Sequence, residues 1–171
     1  MSVLPIVMWP DPRLSRVCAE VGEIDAAVVQ LIEDMFETMY DAPGRGLAAP
    51  QVGVMQRIFV MDAGWKEGAG TPLVCINPVI RILAGEGSSN EEACLSIPGV
   101  AAVVERPAQI ELEFTDVAGL RMARILQGFE AICAQHEMDH LEGRVIFDHL
   151  DAEARTALEA QYRAQDGMGT L

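Results

Sequence analysis

The sequence predicts an α+β fold, and three observations carry that expectation. Apolar residues recur with a helical period near the start of the chain and again near its end. Between these regions apolar and polar residues alternate, the pattern of half-buried strands. Helical and strand segments are grouped rather than interleaved as strand–helix–strand units, which argues against a doubly wound parallel sheet. With 171 residues the chain is expected to form one domain, residues 1–171, large enough to bury a real core.

Ile24 to Asp41 reads as an amphipathic helix, with Val28, Ile32, Met35 and Met39 on one face and Asp25 placed to cap its first turn. A glycine-rich loop from Gly44 to Gly53 ends it. Strands are expected at Arg57–Asp62 and Leu73–Asn77, with another after Pro78. Ile110, Leu112 and Phe114 alternate with Gln109, Glu111 and Glu113 to make a further strand. Asp116–Gly119 forms a turn, and Arg121–Leu126 returns. A helix follows from about Gly128 to Leu141, with Phe129, Ile132, Cys133, His136 and His140 on one stripe and Gly143 as a stop beyond Glu142. A last helix spans roughly Asp151 to Gln165. The stretches Ala63–Thr71 and Gln165–Leu171 read as linker-like.

Composition narrows the function. Half of the residues are hydrophobic, yet no run approaches the roughly 18 apolar residues of a membrane span, so no membrane association is expected. Met1 to Pro5 lacks a basic region followed by an apolar core, so the expected location is the cytoplasm. Cys18, Cys75, Cys94 and Cys133 are widely spaced with no CxxC pair, which disfavours a disulfide framework. A formal charge of −14 argues against a large phosphate-binding surface and hence against direct nucleic-acid binding.

The strongest chemical signal is His136-Glu137-Met138-Asp139-His140, an HExxH pattern. On a helix, residues four apart lie about 40° apart around the axis and roughly 6 Å apart along it. Both imidazoles can therefore grip one metal ion while Glu137 sits beside the water it activates. A catalytic site of this kind wants a third protein ligand and one open position. The extended motif HExxHxxGxxH fails, because Ile146 stands where a third histidine is needed. His149 falls three residues late and reads as a surface histidine. Glu153 or Glu159 on the last helix could serve but has no motif around it. Cys94 is better placed, since a thiolate binds zinc or ferrous iron strongly. The other three cysteines read as small buried hydrophobes.

Three separated segments together resemble the peptide deformylase family. Its motif GxGLAAxQ is matched by Gly44-Arg45-Gly46-Leu47-Ala48-Ala49-Pro50-Gln51, and EGCLS by Glu92-Ala93-Cys94-Leu95-Ser96. QHExDHLxG is matched by Gln135 to Gly143. Order and spacing agree, so the resemblance covers nearly the whole chain. It implies a central HExxH helix packed between antiparallel sheets, with an N-terminal and a C-terminal helix. It implies one metal ion per chain, held by Cys94, His136 and His140, with Fe²⁺ usual and Zn²⁺ or Ni²⁺ able to substitute. The implied reaction is hydrolysis of the N-formyl group from the N-terminal methionine of new polypeptides, releasing formate. Glu137 would act as the base, and the Gln51 amide and Leu95 backbone N–H would bind the developing oxyanion. Gly46, Arg45, Asn90, Glu92, Phe129, Ile132 and Cys133 would line the substrate pocket. The glycines at 44 and 46 are expected to let the loop approach the substrate closely. Asp139 is either a support behind the metal or a helix-surface residue.

Several positions depart from the family pattern. Ala93 replaces a glycine, a strain of order 1 kcal/mol if positive φ is required there. Arg45 and Asn90 replace aliphatic residues, and Phe129-Glu130 replaces an apolar pair, with Arg45–Glu130 a candidate ion pair. These substitutions motivate an alternative, a deformylase-like metallohydrolase acting on another N-formyl or short N-acyl compound. A non-catalytic metal protein is a third reading, disfavoured because it needs no Glu137. Asp151, Glu153, Glu159 and Asp166 outnumber Arg155 and Arg163 in the last helix, so ribosome docking through it is expected to be weak or absent. A monomer or weak dimer is expected.

Overall fold

The structure, a computed structural model, describes residues 2–83 and 85–169, the last four of these by their backbone alone. Helix α1 spans Ala26–Asp41, and Asp25 caps it by accepting a hydrogen bond from Val28 N. The predicted face, Val28, Ile32, Met35 and Met39, is buried. Strands β1 (Gly46–Ala48), β2 (Ile58–Met61) and β3 (Leu73–Ile82) follow, each antiparallel to the one before. Every residue of β2 is buried, since Ile58 and Val60 pack toward α1 while Phe59 and Met61 pack into the opposite core.

The strands expected on either side of Pro78 are one strand, β3, with a register shift between Ile76 and Val79. Strands β4 (Gly87–Cys94) and β5 (Ile97–Pro107) form a hairpin outside the strands expected from periodicity. Its signal was present: Val100, Ala102, Val104 and Arg106 are buried while Ala101, Val103 and Glu105 between them are exposed. Strand β6 (Gln109–Thr115) pairs with β3 and with β7 (Arg121–Gln127), completing a five-stranded antiparallel sheet in the order β1-β2-β3-β6-β7.

Helix α2, Gly128–Leu141, follows β7 with no loop between them. Gly128 makes that turn at φ +60, a conformation a side chain disfavours. The helix lies between the five-stranded sheet and the β4–β5 hairpin, so it is buried on most sides. Ala131, Ala134 and Leu141 join Phe59, Ile110, Leu112 and Phe114 in the core on the sheet side. A second core beneath the hairpin unites Ile97, Val100, Ala102 and Val104 with Val145, Ile146 and Phe147. The expected α+β class and central helix are therefore found, with α1 covering the far face of the sheet.

The last helix, α3, spans Ala152–Gly169, longer than expected, and Asp151 accepts a hydrogen bond from Ala154 N at its start. Residues 165–169 are thus helical rather than linker-like, while 170 and 171 lie outside the described residues. No described helix is long and apolar enough to cross a membrane.

The stretch Ala63–Thr71 is not a loose linker either. It contains a short 3-10 helix at Trp65–Glu67, and Trp65 Nε1 donates to Gly44 O at 2.8 Å. Buried Asp62 accepts from Tyr40 OH at 2.5 Å and from Thr71 N at 2.9 Å, closing the base of the loop. Burial and the neighbouring Asp62 carboxylate push the Tyr40 phenol up to about 12. The folded state therefore favours the protonated phenol. Its contribution to stability is whole below pH about 10 and is lost as the pH climbs through the folded value. Of the chain's two tyrosines, Tyr40 should give phenolate absorbance only near pH 12, and Tyr40→Phe should remove that late component. Titration of the phenolate band in the folded protein tests this; a Tyr40 that ionises near pH 10 would contradict it.

Candidate metal centre

Three side chains from two elements meet beneath the hairpin. Cys94 ends β4, and His136 and His140 lie one turn apart on α2. Their ligand atoms all fall within 4.8 Å of one another, and Cys94 Sγ lies 3.4 Å from His140 Nε2. Cys94 and His140 are buried, and His136 is nearly so. Burial alone would raise the Cys94 thiol, but the two imidazoles beside it bring it down to about 5, so it is a thiolate near neutral pH.

The tautomer of His136 is set from behind. Glu92 Oε1 lies 3.0 Å from His136 Nδ1, which leaves Nε2 for the cluster. Glu92 is held in turn by Arg106, through Nε at 2.6 Å and Nη2 at 2.9 Å. Arg106 Nη1 continues to Asp139 Oδ2 at 2.9 Å, and His149 Nε2 reaches the same oxygen at 2.7 Å. Burial works against ionisation of Glu92 and Asp139, yet these cationic and hydrogen-bonding partners hold both below their ordinary values. Asp139 is therefore a support behind the cluster rather than a helix-surface residue. His149 is not a free surface histidine. Glu159 pairs with Arg155 and Glu153 is exposed, and neither is among the clustered ligand groups.

Glu137 is buried and burial raises its carboxyl. Its Oε1 has no hydrogen-bond partner, which an enclosed carboxylate tolerates only where a ligand or a water completes it. Gln51 sits in a 3-10 turn, Ala49–Val52, with Oε1 fixed by Ala48 N at 2.9 Å. Its Nε2 donates to Ser96 Oγ at 3.1 Å and lies 3.7 Å from Cys94 Sγ. Leu95 follows Cys94 in the tight turn that joins β4 to β5. A thiolate and two imidazoles form a donor set that fits a divalent transition metal with one position left open, beside the unpartnered Glu137 oxygen.

These groups open on a cavity of about 730 Å³, and all seven expected pocket residues line it. Several of them also contact the protein's own groups. Glu92, besides lining the cavity, orients His136. Gly46 also makes room for the protein's own groups, because a Cβ there would lie 2.5 Å from Glu137 Oε2 and 3.0 Å from Cys133 Sγ. Gly44 likewise makes room for the Leu95 side chain. Arg45 does not pair with the exposed Glu130. It holds Glu67 at 2.7 and 2.8 Å and stacks over the half-exposed Phe129 ring. Ala93 lies in extended β4 and has no positive φ, so the expected strain is absent. Asn90, on the face of β4 that carries Glu92 and Cys94, donates to Ser88 Oγ. Sequence reasoning missed Arg106 and Ser96. Arg106 was detectable as a cation in the inward register of an otherwise apolar strand, where burial demands an acidic partner.

A profile of the family described as polypeptide deformylase matches residues 3–156. A peptide deformylase of Cellvibrio japonicus is 46% identical over 168 residues, covering 96% of this chain and 98% of the relative. One from Pseudomonas aeruginosa is 43% identical, covering 96% and 99%. The crystal structure of the Ehrlichia chaffeensis peptide deformylase in complex with actinonin superposes with a TM-score of 0.90 at 40% identity, covering 96% of this chain and 98% of that one. The Legionella pneumophila structure gives 0.91 at 33% identity, covering 99% and 98%.

Two substitutions test the packing of the site. Gly46→Ala should displace the Glu137 carboxylate while leaving the three ligands in place, and should lower kcat by roughly 100-fold with metal content unchanged. Metal analysis beside steady-state kinetics checks it, and full activity would show that Glu137 has room to move. Arg106→Met would strip the buried Glu92 carboxylate of its guanidinium and the part-buried Asp139 of one partner, and should destabilise the fold by about 3–5 kcal/mol, read from denaturant midpoints.

Proposed function

The chain belongs to the polypeptide deformylase family, and on that premise we propose how its residues remove the N-formyl group from the N-terminal methionine of new polypeptides. The reaction adds water across the formamide C–N bond and yields formate and a free amine. Cys94, His136 and His140 would hold the cation. Fe²⁺ is the ion proposed, with Zn²⁺ or Ni²⁺ as substitutes, because one thiolate and two imidazoles suit all three. When bound, the cation supplies the positive charge that makes a water ionisable near neutral pH.

Glu137 takes the water's proton on its unpartnered Oε1 and later delivers it to the leaving amine nitrogen. Gln51 Nε2 and the Leu95 backbone N–H donate to the formyl oxygen as negative charge gathers on it. One such donor contributes about 3 kcal/mol to the transition state. Ile132 and Cys133 offer the methionine side chain an apolar wall beside the reacting carbon. Burial of the whole group keeps bulk water from competing with these hydrogen bonds.

The observation that carries this reading is the buried, unpartnered Glu137 oxygen beside the Cys–His–His cluster. The relatives support the main reading and not the alternative of another acylated substrate. The departures that motivated that alternative lie at the rim: Arg45 is tied to Glu67, Phe129 is half exposed beneath Arg45, and Ala93 is unstrained. Ribosome docking through α3 is proposed to be weak, since Arg155 is tied to Asp148 and Glu159 while Arg163 lies over Trp9.

The test is formate release from formyl-Met-Ala-Ser by protein loaded with Fe²⁺ under anaerobic conditions. Turnover should fall about 10²- to 10⁴-fold in Glu137→Ala with the metal retained. Metal bound at one equivalent without formate release in the parent protein would refute deformylation. An unimpaired variant would remove Glu137 from the mechanism.

A further inference from the structure

His149 ends the 3-10 turn Ile146–His149, nine residues beyond His140, and no part of the chemistry above requires it. Its position relative to the buried charges behind the metal ligands gives it a function. From the surface inward, contacts run from His149 Nε2 to Asp139 Oδ2 at 2.7 Å, then to Arg106 Nη1 at 2.9 Å. Arg106 grips both oxygens of Glu92 at 2.6 and 2.9 Å, and Glu92 Oε1 meets His136 Nδ1 at 3.0 Å. The Arg106 and Glu92 side chains are each 5% exposed, whereas His149, at 19%, is the outer end of the series.

Two carboxylates share one guanidinium here. Asp139 and Glu92 compete for the N–H groups of Arg106, and in a buried setting each unsatisfied carboxylate oxygen is costly. A second donor on Asp139 relieves that competition. Arg106 can then keep two of its bonds on Glu92, and Glu92 keeps an oxygen on His136 Nδ1. The ring stays oriented with Nε2 toward Cys94. Partners that orient a ligating imidazole typically change metal affinity 10- to 100-fold when removed, and His149 acts on His136 through three intervening residues.

We propose that His149 is a positioning residue for the metal site, donating from Nε2 to Asp139 so that Arg106 and Glu92 hold His136 in its ligating orientation. This rests on the reading that Cys94, His136 and His140 hold a metal. The proposal turns on a donor at the Nε2 position. His149→Gln places an amide nitrogen there, while His149→Asn is polar but too short to reach it.

The experiment loads the full-length parent and both variants with Zn²⁺ and follows release into excess metallochromic chelator, with thermal melts recorded in parallel. His149→Asn should release Zn²⁺ about three- to ten-fold faster, a fraction of the effect of a direct partner. His149→Gln should stay within about twofold of the parent, because restoring the donor restores the hold on His136. Equal rates in all three proteins overturn the proposal. So does equal acceleration in both variants, which would mean that the imidazole matters for packing and not as a donor. Failure of the parent to bind Zn²⁺ through Cys94 would overturn the metal reading itself, and this inference with it.

Discussion

The buried Arg106–Glu92 pair is the interaction on which the site depends. It joins strands β5 and β4 across the hairpin, and it fixes the face of His136 that the metal does not use. Such a pair adds little net stability, because removing both charges from water offsets most of their attraction. Its value lies in geometry. A bidentate guanidinium admits few arrangements of the carboxylate, and the carboxylate in turn admits few orientations of the imidazole. The charge left over on Asp139 explains why a further partner, His149, is recruited from outside the helix.

The same economy governs the other wall of the site. Edge strand β1 lies so close to α2 that a Cβ at position 46 would meet the Glu137 carboxylate, which occupies the space the glycine leaves. The carboxyl of Glu137 is thus confined by β1 on one side and by the clustered Cys94, His136 and His140 on the other. Confinement raises its carboxyl by desolvation while leaving one oxygen unpartnered. Gln51 is fixed by a different device, a 3-10 turn preceded by Ala48, whose backbone N–H holds the side-chain oxygen and leaves the amide nitrogen to face Cys94.

At the cavity rim the substitutions that set this chain apart form contacts of their own. Arg45, Glu67 and Phe129 make one cluster, and the loop carrying Glu67 is anchored by Trp65 and Asp62. The Arg45–Glu67 pair has a partner that is 62% exposed, so its strength is modest and sensitive to salt. The rim is therefore locally ordered without intruding on the groups that carry the chemistry.

Much was legible in the sequence because it depends on local spacing. The capped face of α1, the alternation of β6 and the one-turn separation of His136 and His140 are properties of helix and strand periodicity. Cys94 and Gln51 were legible through motif words whose order survives any fold. What escaped depends on pairs distant in sequence. The partner of Arg45 is not visible in the sequence because Glu67 is brought to it by a loop that reads as a linker, and His149 reads as a surface residue because Asp139 faces it only after the chain turns beyond α2. The role of Gly46 likewise exists only where β1 meets α2. Periodicity determines which residues share a face; burial decides which charges must find each other, and that is settled only when the sheets close around the helix.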